Sequence, residues 1–192
     1  MKKTRIIIIV VACVALLVGG FACWMHRNGD VSSEDVELTK VQQLITKDLT
    51  KNYPATPREV VKTYIEITTC FYNEEYTEAE LEALVDMTLL LMDEELAANN
   101  PKIQYYRNVE ADIKEFAEAE RTILSYTLSS SNQVKYLTVD GRECAYVEMS
   151  YFMKDKNSHS KTYQTYVLRK DENGDWKILV FYKSEGDTFN GE

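Results

Sequence analysis

From Leu38 onward, apolar residues recur at helical spacing. Leu38, Val41, Leu44, Ile45 and Leu49 stand three or four apart, the pattern of an amphipathic helix. Ser33 is placed to cap it, and the run ends near Tyr53, because Pro54 biases the residue before it toward extended backbone. Thr56 then caps a second helix, with Pro57 at the first helical position and Glu59 closing a capping box. The apolar face of that helix carries Val60, Val61, Tyr64, Ile65, Thr68, Phe71 and Tyr72, a 3.6-residue period. Thr77 and Glu80 repeat the box before a third helix bearing Leu81, Leu84, Val85, Thr88, Leu89 and Met92. Asp93 opens a short helical turn that Asn99-Asn100-Pro101 terminates. Around residues 107 to 120, Val109, Ile113, Phe116 and Ala117 make a narrow apolar stripe. The acids of the same segment, Glu110, Asp112, Glu115, Glu118 and Glu120, read as a solvated face.

Near Thr122 the period changes from helix to strand. "TILSYTLSS", "QVKYLTVD", "ECAYVEMSYFM", "KTYQTYVLRK" and "WKILVFYK" are rich in Val, Ile, Thr, Tyr and Phe, the residues that fit a pleated, half-buried surface. Asp140-Gly141 and Asn173-Gly174 are hairpin signals between them. Helices followed by consecutive antiparallel strands predict an α+β domain, a helical layer on one sheet. It is expected to span residues 33–185, after a linker at 26–32 and before a tail at 186–192.

The N-terminal segment is of another kind. Residues 6–25, "IIIIVVACVALLVGGFACWM", contain no charge over a length that spans ~30 Å of hydrocarbon as a helix. Lys2, Lys3 and Arg5 precede this run, and Asp30, Glu34, Asp35 and Glu37 follow it. The positive-inside rule then keeps residues 1–5 in the cytoplasm and places the domain outside, with 6–25 as a single-pass signal anchor in the cell membrane. A cleaved signal peptide ending near Gly20-Phe21-Ala22 and lipoprotein processing at Cys13 or Cys23 are the alternatives.

Charge narrows the list of partners. The 22 basic residues include Lys2, Lys3 and Arg5, so the remaining 19 face 31 acidic ones, a net −12. No basic stripe for nucleic-acid phosphates is present, and an acidic surface disfavours docking on anionic lipid. Of the 4 cysteines, Cys13 and Cys23 belong to the apolar run, leaving Cys70 and Cys144. Cys144 shares the strand parity of Glu148 rather than that of Val147 and Met149, so the two thiols are expected to stay free.

The order of helices and strands, closing on "KDENGDWKI", resembles the nuclear transport factor 2-like, or cystatin-like, cone fold shared with polyketide-cyclase-like and ketosteroid-isomerase-like proteins. More closely, "DLTKNYPATPREVVKTY", "CFYNEEYT" and "DEELAANNP" look like a bacterial domain-of-unknown-function family of membrane-anchored exported proteins, over roughly residues 38 to 183. The resemblance implies a curved antiparallel sheet under helices and a location outside the membrane. It carries no activity. In isomerase-like members of the cone fold, the pocket between sheet and helices holds an acid or base with tyrosine donors. Tyr64, Tyr146, Glu148 and Tyr166 are the matching ligand-binding candidates here, against a bland reading of Glu148 as a solvent-side residue and the tyrosines as rim packing.

Other chemistry finds little support. His159 lies in "KNSHSK", a polar hairpin loop, where a Ser-His-Asp reading has neighbours in sequence but no buried base. One histidine and two separated cysteines do not make a metal site. "DENGD" has the opening of a calcium loop, but Trp176 stands where Gly is needed and Tyr182 where Glu is needed. No catalytic residue, cofactor, metal or disulfide is assigned. Two functions remain: a non-catalytic anchored module that binds a small molecule or a protein outside the membrane, and an isomerase- or dehydratase-like enzyme using the cone pocket. Whether Glu148 is enclosed separates them.

Overall fold

A computed structural model describes residues 38–185; the 6–25 apolar run, the 26–32 linker, Ser33 and the 186–192 tail lie outside them. Helix α1 (Lys40–Ile45) is capped by Thr39, whose side chain accepts from the Gln42 N–H while Gln42 reaches back to the Thr39 N–H. The expected continuation to Tyr53 does not form. Asp48 Oδ1 accepts hydrogen bonds from the Thr50 N–H and hydroxyl instead. Short polar side chains of this kind offer the backbone an alternative to the helix. The resulting turn swings Tyr53 under the sheet, where its hydroxyl donates to the Trp176 carbonyl.

Helix α2 (Pro57–Asn73) starts at the expected Thr56–Glu59 capping box. Helix α3 (Glu78–Leu91) starts at the Thr77–Glu80 box. Asp93 caps the short α4 (Glu94–Asn99), and α5 (Lys102–Glu118) follows Pro101, longer at its N-terminus than the apolar stripe foretold. The acids expected on a solvated face, Glu110 to Glu120, are all exposed.

The sheet comprises β1 (Thr122–Leu128), β2 (Lys135–Val139), β3 (Arg142–Lys154), β4 (His159–Lys170) and β5 (Trp176–Ser184). All named pairs are antiparallel, in the order β1-β3-β4-β5, with β2 on the same edge of β3 as β1 but along its N-terminal half. Asp140 and Gly141 take left-handed backbone, φ 49° and 77°, and make the two-residue turn that twisted strands favour. His159 is not at a loop tip: it opens β4 opposite Lys154 and stacks on Phe152.

Strand alternation separates two faces. Ala145, Val147, Met149 and Tyr151 of β3, with Tyr166 and Leu168 of β4, join the core under α2 and α3. Val60, Val61, Ile65, Leu84 and Val85 meet them without residual exposure, each such burial contributing about 1.5–3 kcal/mol. Among the described residues this core draws on positions between Val41 and Ile178, within the compact unit Leu38–Glu192. A segment that closes its own core is a domain able to fold by itself. No helix among the described residues is long and apolar enough to cross a membrane.

Candidate functional site

The strand register divides the four residues singled out in the sequence. Tyr166 pairs with Val147 and faces the helices, with its ring 5.6 Å from that of Tyr64 in an edge-on arrangement. Tyr146 pairs with Val167, and Glu148 with Thr165, on the opposite face. Glu148 keeps 18% of its side chain exposed and lies 3.9 Å from Lys135 Nζ. Tyr64 and Tyr166 therefore share a site, while Tyr146 and Glu148 are not part of it.

That site is a cleft of about 500 Å³ between α2, α5 and the inner face of β3, β4 and β5, a volume ordinary for small-molecule pockets. Aromatic rings make its walls. Tyr166 stacks on Phe181 and Tyr72 on Phe116, with centroids 5.2 Å and 3.9 Å apart. At one end the Arg121 guanidinium lies over Phe116 and is neutralised by Asp155. At the other end Lys183 reaches the cleft from β5.

The wall of the cleft contains an unusual group. Tyr151 is only 6% exposed, and its hydroxyl has no hydrogen-bond partner. The neighbouring hydroxyls that influence its ionisation, those of Tyr166 and Thr68, direct their protons elsewhere: Tyr166 donates to Gln164 Oε1 and Thr68 to the Tyr64 carbonyl. Buried hydroxyls are nearly always satisfied, so an orphan in a cleft wall calls for an explanation.

Burial sets the electrostatics of the phenols. It holds the pKa values of Tyr64, Tyr151 and Tyr166 far above the ordinary phenol and pushes Tyr105 up to about 12. These phenols stay protonated at neutral pH and act as hydrogen-bond donors rather than bases. The carboxylate in the cleft wall is Asp112, which sequence reading had assigned to the solvated face of α5. It is exposed, yet partial burial, and then the negative charge of Glu115, raise its pKa. Only the placement of α5 over the sheet reveals it.

A second depression, about 870 Å³, is lined by charged residues of α4 and the β2–β3 and β4–β5 turns. Part of its charge is paired: Arg169 with Asp93 and Glu95, and Lys170 with Glu143. The Arg169 pairs tie α4 to β4. Among the described residues, no group of three or more His, Cys, Asp or Glu side chains is placed to hold a metal ion.

Among solved structures that resemble the chain is AusH from Aspergillus nidulans, 16% identical, covering 68% of this chain and 85% of that one with a TM-score of 0.31. No curated protein matches. The family model for a domain of unknown function, DUF6715, matches residues 1–181, and the chain belongs to that family.

Proposed function

We propose that the domain is a non-catalytic binding module that holds a small, largely apolar molecule in the tyrosine-lined cleft, outside the cell membrane. The observation that carries this reading is the Tyr151 hydroxyl, buried in the cleft wall without a partner. A buried donor left unmade costs free energy that a ligand acceptor recovers. The cleft is taken as the interior of a nuclear transport factor 2-like cone, an inference supported by the order of helices and antiparallel strands.

The test uses the neutral dye N-phenyl-1-naphthylamine and the Leu38–Glu192 fragment. Its fluorescence is expected to rise and saturate at one dye per chain. Thr162→Trp, which fills the cleft from β4 opposite Tyr151, is expected to weaken binding at least about tenfold without lowering the melting temperature. Absence of saturable binding, or equal binding by the variant, would count against the reading.

The location is part of the same proposal and rests on the uncharged run 6–25 and the basic residues before it. With residues 6–25 as anchor, external protease is expected to remove the domain from intact cells. Protection under conditions that digest an external control would sink the topology.

A second reading, proton transfer by a pocket enzyme, is favoured by one observation: Asp112 has a raised pKa and bears on the ionisation of Tyr72 and Tyr105. Two facts place it behind the binding reading. Asp112 is solvent-exposed, and Glu148, the carboxylate the sequence offered for this role, lies on the other face of the sheet.

A further inference from the structure

Resting on that reading of the cleft, the polar groups on its sheet wall narrow the class of ligand. Gln164 of β4 pairs directly with Lys183 of β5 and with Met149 of β3, and Tyr151 lies two residues further along β3 on the same face. Directly opposed residues have Cβ atoms about 5 Å apart, and diagonal ones about 7 Å. One patch of sheet therefore carries three hydrogen-bond donors. The Tyr151 hydroxyl has no partner. The Gln164 amide has its oxygen engaged by Tyr166, which leaves the NH2 to donate. Lys183 forms no ion pair among the described residues, whereas Arg121, the other cation of the cleft, is neutralised by Asp155.

We infer that the cleft takes an organic acid: an anionic head group held by Lys183, Gln164 and Tyr151 on the sheet wall, and an apolar body packed along Phe181, Tyr64 and Phe116. Asp112 bounds the cleft from the helix side and excludes the head from that wall, so the body lies toward α5. In a chain of net −9, an unpaired lysine beside two neutral donors is the feature that admits an anion. Charge-assisted hydrogen bonds are about twice as strong as neutral ones, so the head group, not the body, discriminates.

Two dyes with the same aromatic body separate head from body. 8-Anilinonaphthalene-1-sulfonate carries an anionic group that N-phenyl-1-naphthylamine lacks. With the Leu38–Glu192 fragment, Lys183→Met is expected to weaken the sulfonate dye about tenfold while leaving the neutral dye within about twofold, and Tyr151→Phe is expected to weaken the sulfonate dye as well. Lys183→Arg is expected to restore sulfonate binding. If both dyes bind and Lys183→Met weakens neither, the acid inference is overturned and the binding reading stands. Equal weakening of both dyes by Lys183→Met overturns it too, since the lysine stem would then act by packing. If neither dye binds, the cleft reading falls and takes the inference with it.

Discussion

Tyr151 carries a cost in the ligand-free protein. An unsatisfied buried hydroxyl is worth about 1–3 kcal/mol against folding, and its replacement by hydrogen leaves the ring packing intact. Tyr151→Phe is therefore expected to stabilise the Leu38–Glu192 fragment by about 1 kcal/mol in urea unfolding while weakening the sulfonate dye. A gain in stability joined to a loss in binding is the mark of a residue kept for function. That Tyr151 shares a face with Val147 and Met149 was legible in the sequence from its parity. Its missing partner was not, because that depends on where Thr68 and Tyr166 send their protons. Tyr146 and Glu148 share a parity opposite to Val147, and only the packing of α2 decides which face is enclosed. Asp112 was hidden for a different reason. It is one of several acids along α5, and nothing in their spacing distinguishes the one that overhangs the cleft.

Local chemistry made the helix starts easy to read. The Thr56–Glu59 and Thr77–Glu80 boxes formed as the sequence indicated, because both partners of each box lie within one turn. Thr56→Ala is expected to cost about 1 kcal/mol and to leave dye binding unchanged, as read by urea unfolding and titration; Thr56 takes no part in the cleft. The end of α1 was harder. Val41, Leu44 and Leu49 are buried as the helical period required, but Leu49 reaches the core from a turn. Helix α4 is held from outside its own sequence: its cap, Asp93, is paired with Arg169 of β4, and the Asp93 N–H donates to the Ile178 carbonyl. Burial opposes ionisation of Asp93, but hydrogen bonds from Arg169 and the Glu95 N–H outweigh it and hold its pKa below the ordinary carboxylate value. A carboxyl depressed in this way contributes stability above its unfolded pKa, about 4, and loses it as pH falls through the folded value. Asp93→Asn is expected to cost about 3 kcal/mol at pH 7, and the gap to the parent fragment is expected to close at pH values below about 4. Asn caps a helix as well as Asp does, so a gap independent of pH would remove the charge of the Arg169 pair as its cause.

The sheet divides the molecule into two environments, and its two cysteines report on that division. Cys70 lies on α2 among the core residues. Cys144 pairs with Arg169 on the opposite face, which also carries Tyr146 and Glu148. The β2–β3 register runs without a bulge around Gly141, so nothing turns Cys144 toward the helices. Both thiols are free and buried. A disulfide requires Cα atoms within about 7 Å, a condition that opposite faces of a sheet bearing a helical layer do not meet. Reactivity should be low as well. Burial, and then the charge of Glu74, push the Cys70 thiol up to about 11, and only the thiolate attacks. In the native Leu38–Glu192 fragment at pH 8, an aromatic disulfide reagent is expected to react slowly with both cysteines. After denaturation without reductant, it is expected to count two thiols per chain. A count of zero would require Cys144 to meet Cys70, shift β3 by one residue, and turn Glu148 into the cleft in place of Tyr151.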